Sequence, residues 1–230
     1  MVLTEMPTKL EPTLQGLRVA LDVQHLFRDP PHEKDRGAVF RVPVEGYAKG
    51  MTIRETDVTT AYVDAAAAMI AARGGRAFTN DVARGVMVGP YSRRHRAAAS
   101  WAVHAYVACH VNAGGGSYAL ALFNRHAPRG RAFAQALARA MRDVAVMQPG
   151  APIIDHVARA VGPGDRGWSC IGGFGVTERP ETPAAAIFEP CFGDNPRHHG
   201  LILSPGPSQV IALGLVRGLE AWWKAARSAQ

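Results

Sequence analysis

No run of this chain is apolar for long enough to span a bilayer, and its first residues lack the basic start and continuous apolar stretch of a secretory signal. Membrane insertion and export by the usual route are therefore not expected from these residues. Cysteine is scarce as well. The three present, Cys109, Cys170 and Cys191, are odd in number and widely spaced, which excludes a Cys-x-x-Cys metal site and a disulfide-dense scaffold. Reduced, partly buried thiols are the expectation. Lysine is rare beside arginine, which carries most of the formal charge of +7, with a cluster at Arg93, Arg94 and Arg96 and others from Arg125 to Arg142. No helix-turn-helix signature, zinc-finger spacing or alternation of aromatic with basic residues accompanies that charge, so specific nucleic-acid readout is not expected. An anionic cell-wall or membrane surface suits the basic face, as does a merely solubilising role. Internal repeats and low-complexity tails are also missing.

What is present is enough for a full core. With 230 residues, 47% of them hydrophobic and 20% charged, the chain reads as one domain over residues 17–230 behind a polar N-terminal leader, 1–16. Leu17 to Val23 alternates and is rich in branched residues, as a core strand is, and runs into Gln24-His25. Residues 29–49 are dense in proline, glycine and charge and read as a long surface loop. Glu55 stands in the first turn of a helix whose apolar positions, Val58, Ala61, Tyr62, Ala65, Met69 and Ile70, fall at helical spacing before Gly74-Gly75.

Short strands at 76–79, 105–110 and 118–123 then alternate with helices at 91–103 and 130–147. An irregular section at 149–165 precedes a last apolar strand, Pro183 to Glu189. A closing helix, 209–227, presents Leu213, Val216, Leu219 and Trp223 on one stripe. This alternation predicts an α/β fold with a single twisted, mixed, mostly parallel sheet and helices on both faces.

Four polar residues occupy comparable places in that scheme: His25 after the first strand, Glu55 at a helix start, His110 after a central strand, and Glu189 at the end of the last. Open α/β sheets gather reacting groups at the carboxyl ends of their strands. Two imidazoles and one carboxylate form a hydrolytic zinc site with a position left for water, and a carboxylate outside the metal shell can carry the proton to a leaving amine. At this level either Glu55 or Glu189 can be the ligand carboxylate, the other being the proton carrier.

Five short motifs in order add to this. They are Leu21-Asp-Val-Gln-His25, Asp35-Arg-Gly-Ala38, Glu55-Thr-Asp-Val58, Ala108-Cys-His-Val-Asn-Ala113, and Phe188-Glu-Pro-Cys-Phe-Gly-Asp-Asn-Pro196. In sequence and rough spacing the chain resembles the zinc-dependent N-acetylmuramoyl-L-alanine amidases of the type 3 family, over nearly all its length after the leader. The resemblance implies that His25, Glu55 and His110 hold one zinc ion per chain and that Glu189 is the catalytic glutamate. It also implies peptidoglycan as substrate, cut at the amide between N-acetylmuramic acid and L-alanine. Departures mark a divergent member: Gln24, Leu26 and Phe27 stand where the family has glycines around the first histidine and Val23 where it has a proline, Cys191 replaces a glycine after the glutamate, and Ala108 a serine before His110. With no signal segment and no separate wall-binding module recognised, the setting expected is a phage-type endolysin, held in the host cytoplasm until lysis, with a bacterial autolytic or recycling enzyme as the alternative.

Rival readings attach to particular residues. A metal-free cell-wall-binding protein would keep the fold without the hydrolysis. A cysteine peptidase would use Cys170, because Cys109 and His110 are neighbours on a strand and face opposite sides. Glu45 competes with Glu55 as third ligand but lies in the loop-like stretch rather than at a helix start. His32 follows His25 closely enough to approach the site. His95, His104, His126 and His156 need no metal to explain them, and His198 and His199 are expected to face solvent. Asp22 reads as structural, its odd spacing from His25 pointing the two opposite ways. The arginines at 93, 94 and 96 read as a solvated helix face.

Overall fold

A computed structural model describes residues 11–25, 37–44, 47–81, 83–174, 182–203 and 205–228. Its main sheet has six strands, in the order β4 (Arg76–Thr79), β1 (Arg18–Val23), β5 (Ala105–Cys109), β8 (Ala184–Glu189), β6 (Tyr118–Asn124) and β7 (Asp155–Val161). Every neighbouring pair is parallel except β6 against β8. The α/β expectation of a mixed, mostly parallel sheet is met. The three central strands are short apolar runs buried on both sides, the composition that a sheet covered by helices requires.

Alternate side chains divide between two cores. On one face Val19, Leu21, Val107 and Phe188 pack with helices α1 (Glu55–Ala72), α3 (Pro128–Ala145) and α5 (Pro205–Ser228). On the other, Ala20, Tyr106, Ala108 and Ile187 pack with α2 (Tyr91–Ser100) and the short α4 (Trp168–Ile171). Tyr62, Phe133 and Phe188 are wholly buried in the first core, each contributing about 2–3 kcal/mol by removal from water. Helices α3 and α5 approach closely because Gly218 faces Leu137: a Cβ at Gly218 would lie 2.8 Å from the Leu137 Cα. The closing helix buries Val216 and Leu219 as its periodicity predicts, with Leu215 and Trp222 rather than Leu213 and Trp223 completing the buried stripe.

Three stretches differ from the reading of the sequence. The supposed loop at 29–49 contains much of an antiparallel ribbon, β2 (Val39–Val44) against β3 (Tyr47–Arg54). Phe40 and Val42 point into the first core while Val39 and Arg41 point out, so the alternation of a strand was present beneath the proline and glycine. Pro43 is tolerated because both strands of a two-stranded ribbon are edges, and it falls where the register shifts. Second, the irregular section at 149–165 contains β7, an edge strand half-exposed along most of its length and so without an apolar pattern to announce it. Third, the helix expected at 91–103 stops at Ser100, and Ala102 turns left-handed at φ +47°. Ahead of β1, Leu14 is wholly buried and its N–H donates to the Arg73 carbonyl at 3.0 Å, so this part of the leader packs as core. Glu45 and His32 lie outside the described residues. No described helix is long and apolar enough to cross a membrane.

Because β1, β5 and β8 run in one direction, their carboxyl ends share an edge of the sheet. The pairing of Val23 with Cys109 and of Cys109 with Phe188 places His25, His110 and Glu189 there together.

Candidate metal centre

Glu55 is fixed before any ligand is considered. Strand β3 passes directly into α1, and the Glu55 N–H donates to the Ala38 carbonyl at 2.9 Å while the Ala38 N–H donates back to Oε2 at 2.8 Å. Oε1 accepts from the Val111 N–H at 3.0 Å and meets His110 Nδ1 at 2.9 Å. His25 Nε2 lies 3.8 Å from Oε2, and the two imidazole rings stand edge to face with centroids 5.0 Å apart. Burial alone would raise the Glu55 carboxyl, but its bonds and charge interactions with His110, His25 and Ala38 overcome that and hold it at about 2. Burial would likewise depress the His110 imidazole, and its contacts with Cys170 and Glu55 outweigh it, lifting the ring to about 10.

The backbone is shaped for this convergence. His25 turns left-handed at φ +57°, a conformation that histidine adopts more readily than most residues with a Cβ. Gly37 is needed where it stands: its φ is +64°, and a Cβ there would lie 3.0 Å from Glu55 Oε2 and 3.2 Å from the His25 Cβ. The Tyr62 hydroxyl donates to the His110 carbonyl at 3.0 Å, anchoring the strand exit to α1.

Donor atoms of His25, Glu55 and His110 all lie within 4.8 Å of one another. Two ligand atoms on a tetrahedral zinc are roughly 3.3 Å apart, given bonds of about 2.0–2.1 Å. His110 Nδ1 stands 2.9 Å from one carboxylate oxygen and His25 Nε2 3.8 Å from the other, each within about half an ångström of that spacing. Two imidazoles and a carboxylate, opening on a cleft, are also the donor chemistry of a hydrolytic zinc site, so the residues present fit the metal.

The cleft has a volume of about 640 Å³, and Glu189 lines it together with the three donor residues. Burial raises the Glu189 carboxyl, opposed by the positive charge of His110 and supported by the negative charge of Glu55. One wall is a glycine loop held by Asp194, which accepts the Gly114 N–H at 2.7 Å and the Gly115 N–H at 3.1 Å. Asn195 Nδ2 donates to the Gly116 carbonyl at 2.7 Å on the same loop. Neither clasp was legible beforehand, since Asp194 and Asn195 meet residues some eighty positions away.

Other expectations are corrected or refined. Arg94 is buried, not part of a solvated face, because Asp22 takes its guanidinium at 3.0 Å; Arg93 and Arg96 are exposed as expected. His198 is wholly buried rather than solvent-facing, its Nδ1 accepting the Phe192 N–H at 2.9 Å, and His199 is half-buried. His95 bonds the Cys170 carbonyl through Nε2 at 2.9 Å, a structural duty. Cys109 packs in the first core, away from the imidazole beside it. Cys170 is different: its Sγ lies 3.8 Å from His110 Nε2.

No model of a known protein family matches the chain, and no curated protein matches it by sequence. Solved structures do. Ami1, an N-acetylmuramyl-L-alanine amidase from Mycobacterium smegmatis, is similar at 19% identity and a TM-score of 0.62, over 92% of this chain and 99% of that one. The catalytic domain of CwlV, an N-acetylmuramoyl-L-alanine amidase from Bacillus (Paenibacillus) polymyxa var. colistinus, is similar at 13% identity and 0.61, over 90% and 98%. The catalytic domain of CD27L, an endolysin targeting Clostridia difficile, is similar at 13% identity and 0.56, over 88% and 97%. The chain thus has the fold of the N-acetylmuramoyl-L-alanine amidases.

Proposed function

We propose that this protein is a zinc-dependent amidase that hydrolyses the bond between the lactyl group of N-acetylmuramic acid and L-alanine in peptidoglycan. The observation that carries the reading is the meeting of His25, Glu55 and His110 beside Glu189 in one cleft. Neighbours of the same fold bear the name of that activity.

Zinc held by His25, Glu55 and His110 would supply a Lewis acid for the amide carbonyl and lower the pKa of a water. The protein's own part falls to fixed groups. Glu55 is locked by two backbone N–H groups, so it cannot swing to serve as a base as well as a ligand. Among the described residues no backbone N–H restrains the Glu189 side chain, and a burial-raised carboxylate is suited to taking a proton from water. Water adds its oxygen to the carbonyl carbon, the C–N bond breaks, and Glu189 returns the proton to the alanine nitrogen, which leaves as an amine.

One observation favours a second reading. Cys170, His110 and Glu55 lie in the order of a thiol nucleophile, its base and an orienting carboxylate, through contacts of 3.8 Å and 2.9 Å. The two readings part cleanly. Release of peptide from purified peptidoglycan should stop on chelation, return with zinc, and survive thiol alkylation. Activity that survives chelation and fails after alkylation belongs to the cysteine enzyme, and bound zinc without any peptide release belongs to a wall-binding protein of this fold.

A further inference from the structure

Two arginines line the cleft that the mechanism leaves unused: Arg159, exposed on edge strand β7, and Arg166, exposed in the segment leading to α4. Both share the cleft lining with Glu189 and act electrostatically on it, favouring its charged form. Neither forms a salt bridge among the described residues. Asp165, next to Arg166 in sequence, is bonded elsewhere: its Oδ2 takes the Arg125 guanidinium at 2.6 Å and the Gly162 N–H at 2.7 Å. These bonds also tie the segment carrying Arg166 to the end of β7. Arg125 is the cation bonded to Asp165, which reaches Arg159 only through a longer-range charge interaction, so the two cleft guanidiniums keep hydrogen-bond donors for an anion.

We propose that Arg159 and Arg166 form a carboxylate subsite for the amine-side portion of the substrate, selecting a peptide that carries a free carboxylate beyond the residue released at the scissile bond. The inference rests on the amidase reading, which fixes the leaving amine beside Glu189. A guanidinium fork matches a carboxylate with paired charge-assisted hydrogen bonds and matches a carboxamide poorly, so converting one to the other removes the recognition without changing size.

The test compares N-acetylmuramoyl-L-alanyl-D-glutamate with the same compound bearing carboxamides in place of the glutamate carboxyls. The acid should be cleaved with a kcat/KM higher by about tenfold or more, carried mainly by KM. R159Q and R166Q should each shrink that ratio, and the double variant should bring it close to one. Both positions are exposed, and a thermal melt checks that each variant is folded. Equal cleavage of acid and amide by the parent protein, or a ratio unmoved by both variants, overturns the subsite. Calorimetry with L-alanyl-D-glutamate and its diamide reads the same preference without turnover. If neither compound is cleaved but the acid binds more tightly and R159Q/R166Q abolishes that difference, the amidase reading falls and the carboxylate site stands.

Discussion

Two buried carboxylates, Asp22 and Glu55, stand at the same end of the sheet and have been given opposite work. Asp22 is wholly buried on the α2 face and surrounded by donors: Arg94 at 3.0 Å, Asn80 Nδ2 at 2.8 Å, Gln24 Nε2 at 2.7 Å, and the Tyr106 hydroxyl. Each of its oxygens accepts two hydrogen bonds and its charge is cancelled by a fixed cation, so nothing remains to bind a ligand. Glu55 also has two backbone donors, but its other neighbours are imidazoles, whose nitrogens can surrender a proton and coordinate instead. The cleft opens on that cluster and leaves the Asp22 network closed. What separates a structural carboxylate from a candidate ligand is the kind of partner around it more than the depth of its burial.

Glu55 carries the largest expected effect. Replacing it with Gln should abolish zinc binding and lower peptide release by about a thousandfold or more, the scale of the several kcal/mol that a Lewis acid supplies, as read by metal analysis and turnover. Full zinc occupancy in E55Q would place Glu55 with Asp22 as a structural group. Glu189→Gln should keep its zinc while losing turnover by about a hundred- to ten-thousandfold, which metal analysis and single-turnover release would separate from loss of the ion.

Asp22→Ala should act on stability rather than on metal binding. It leaves the Arg94 guanidinium buried without its counterion, so denaturant unfolding should show a loss of about 3–5 kcal/mol, while the folded fraction still binds zinc. The smallest effect sharpens the boundary between the clusters. Cys170→Ala removes the group facing His110 Nε2 and should weaken zinc by about tenfold in chelator competition, with turnover at saturating zinc largely retained. Loss of turnover at full zinc occupancy would instead make Cys170 the nucleophile.

Much of this was legible from local pattern. Strands β1, β5 and β8 declare themselves as short apolar runs, and the polar residues just past them, His25, His110 and Glu189, are the ones the parallel arrangement brings to a common edge. Glu55 was legible as the residue that starts a helix. The ribbon β2–β3 was hidden because proline and glycine serve a register shift and close approaches there, for instance at Gly50, where a Cβ would meet the Val42 carbonyl oxygen at 2.6 Å. Edge strand β7 was hidden because a strand with one neighbour and little cover needs no apolar alternation.

The local pattern of the chain carries most of the elements and the chemical inventory, since periodicity, turn residues and side-chain type act over a few positions. Beyond the His25, Glu55, His110 and Glu189 group, which polar groups meet is set by the tertiary structure. Arg94 belongs to Asp22 across seventy-two positions and Cys170 faces His110 across sixty, while Arg159 and Arg166 reach one cleft from separate segments. Burial makes such meetings consequential: away from water, a charge without a partner is costly, so the folded arrangement sets each polar group's partner and, with it, the group's task.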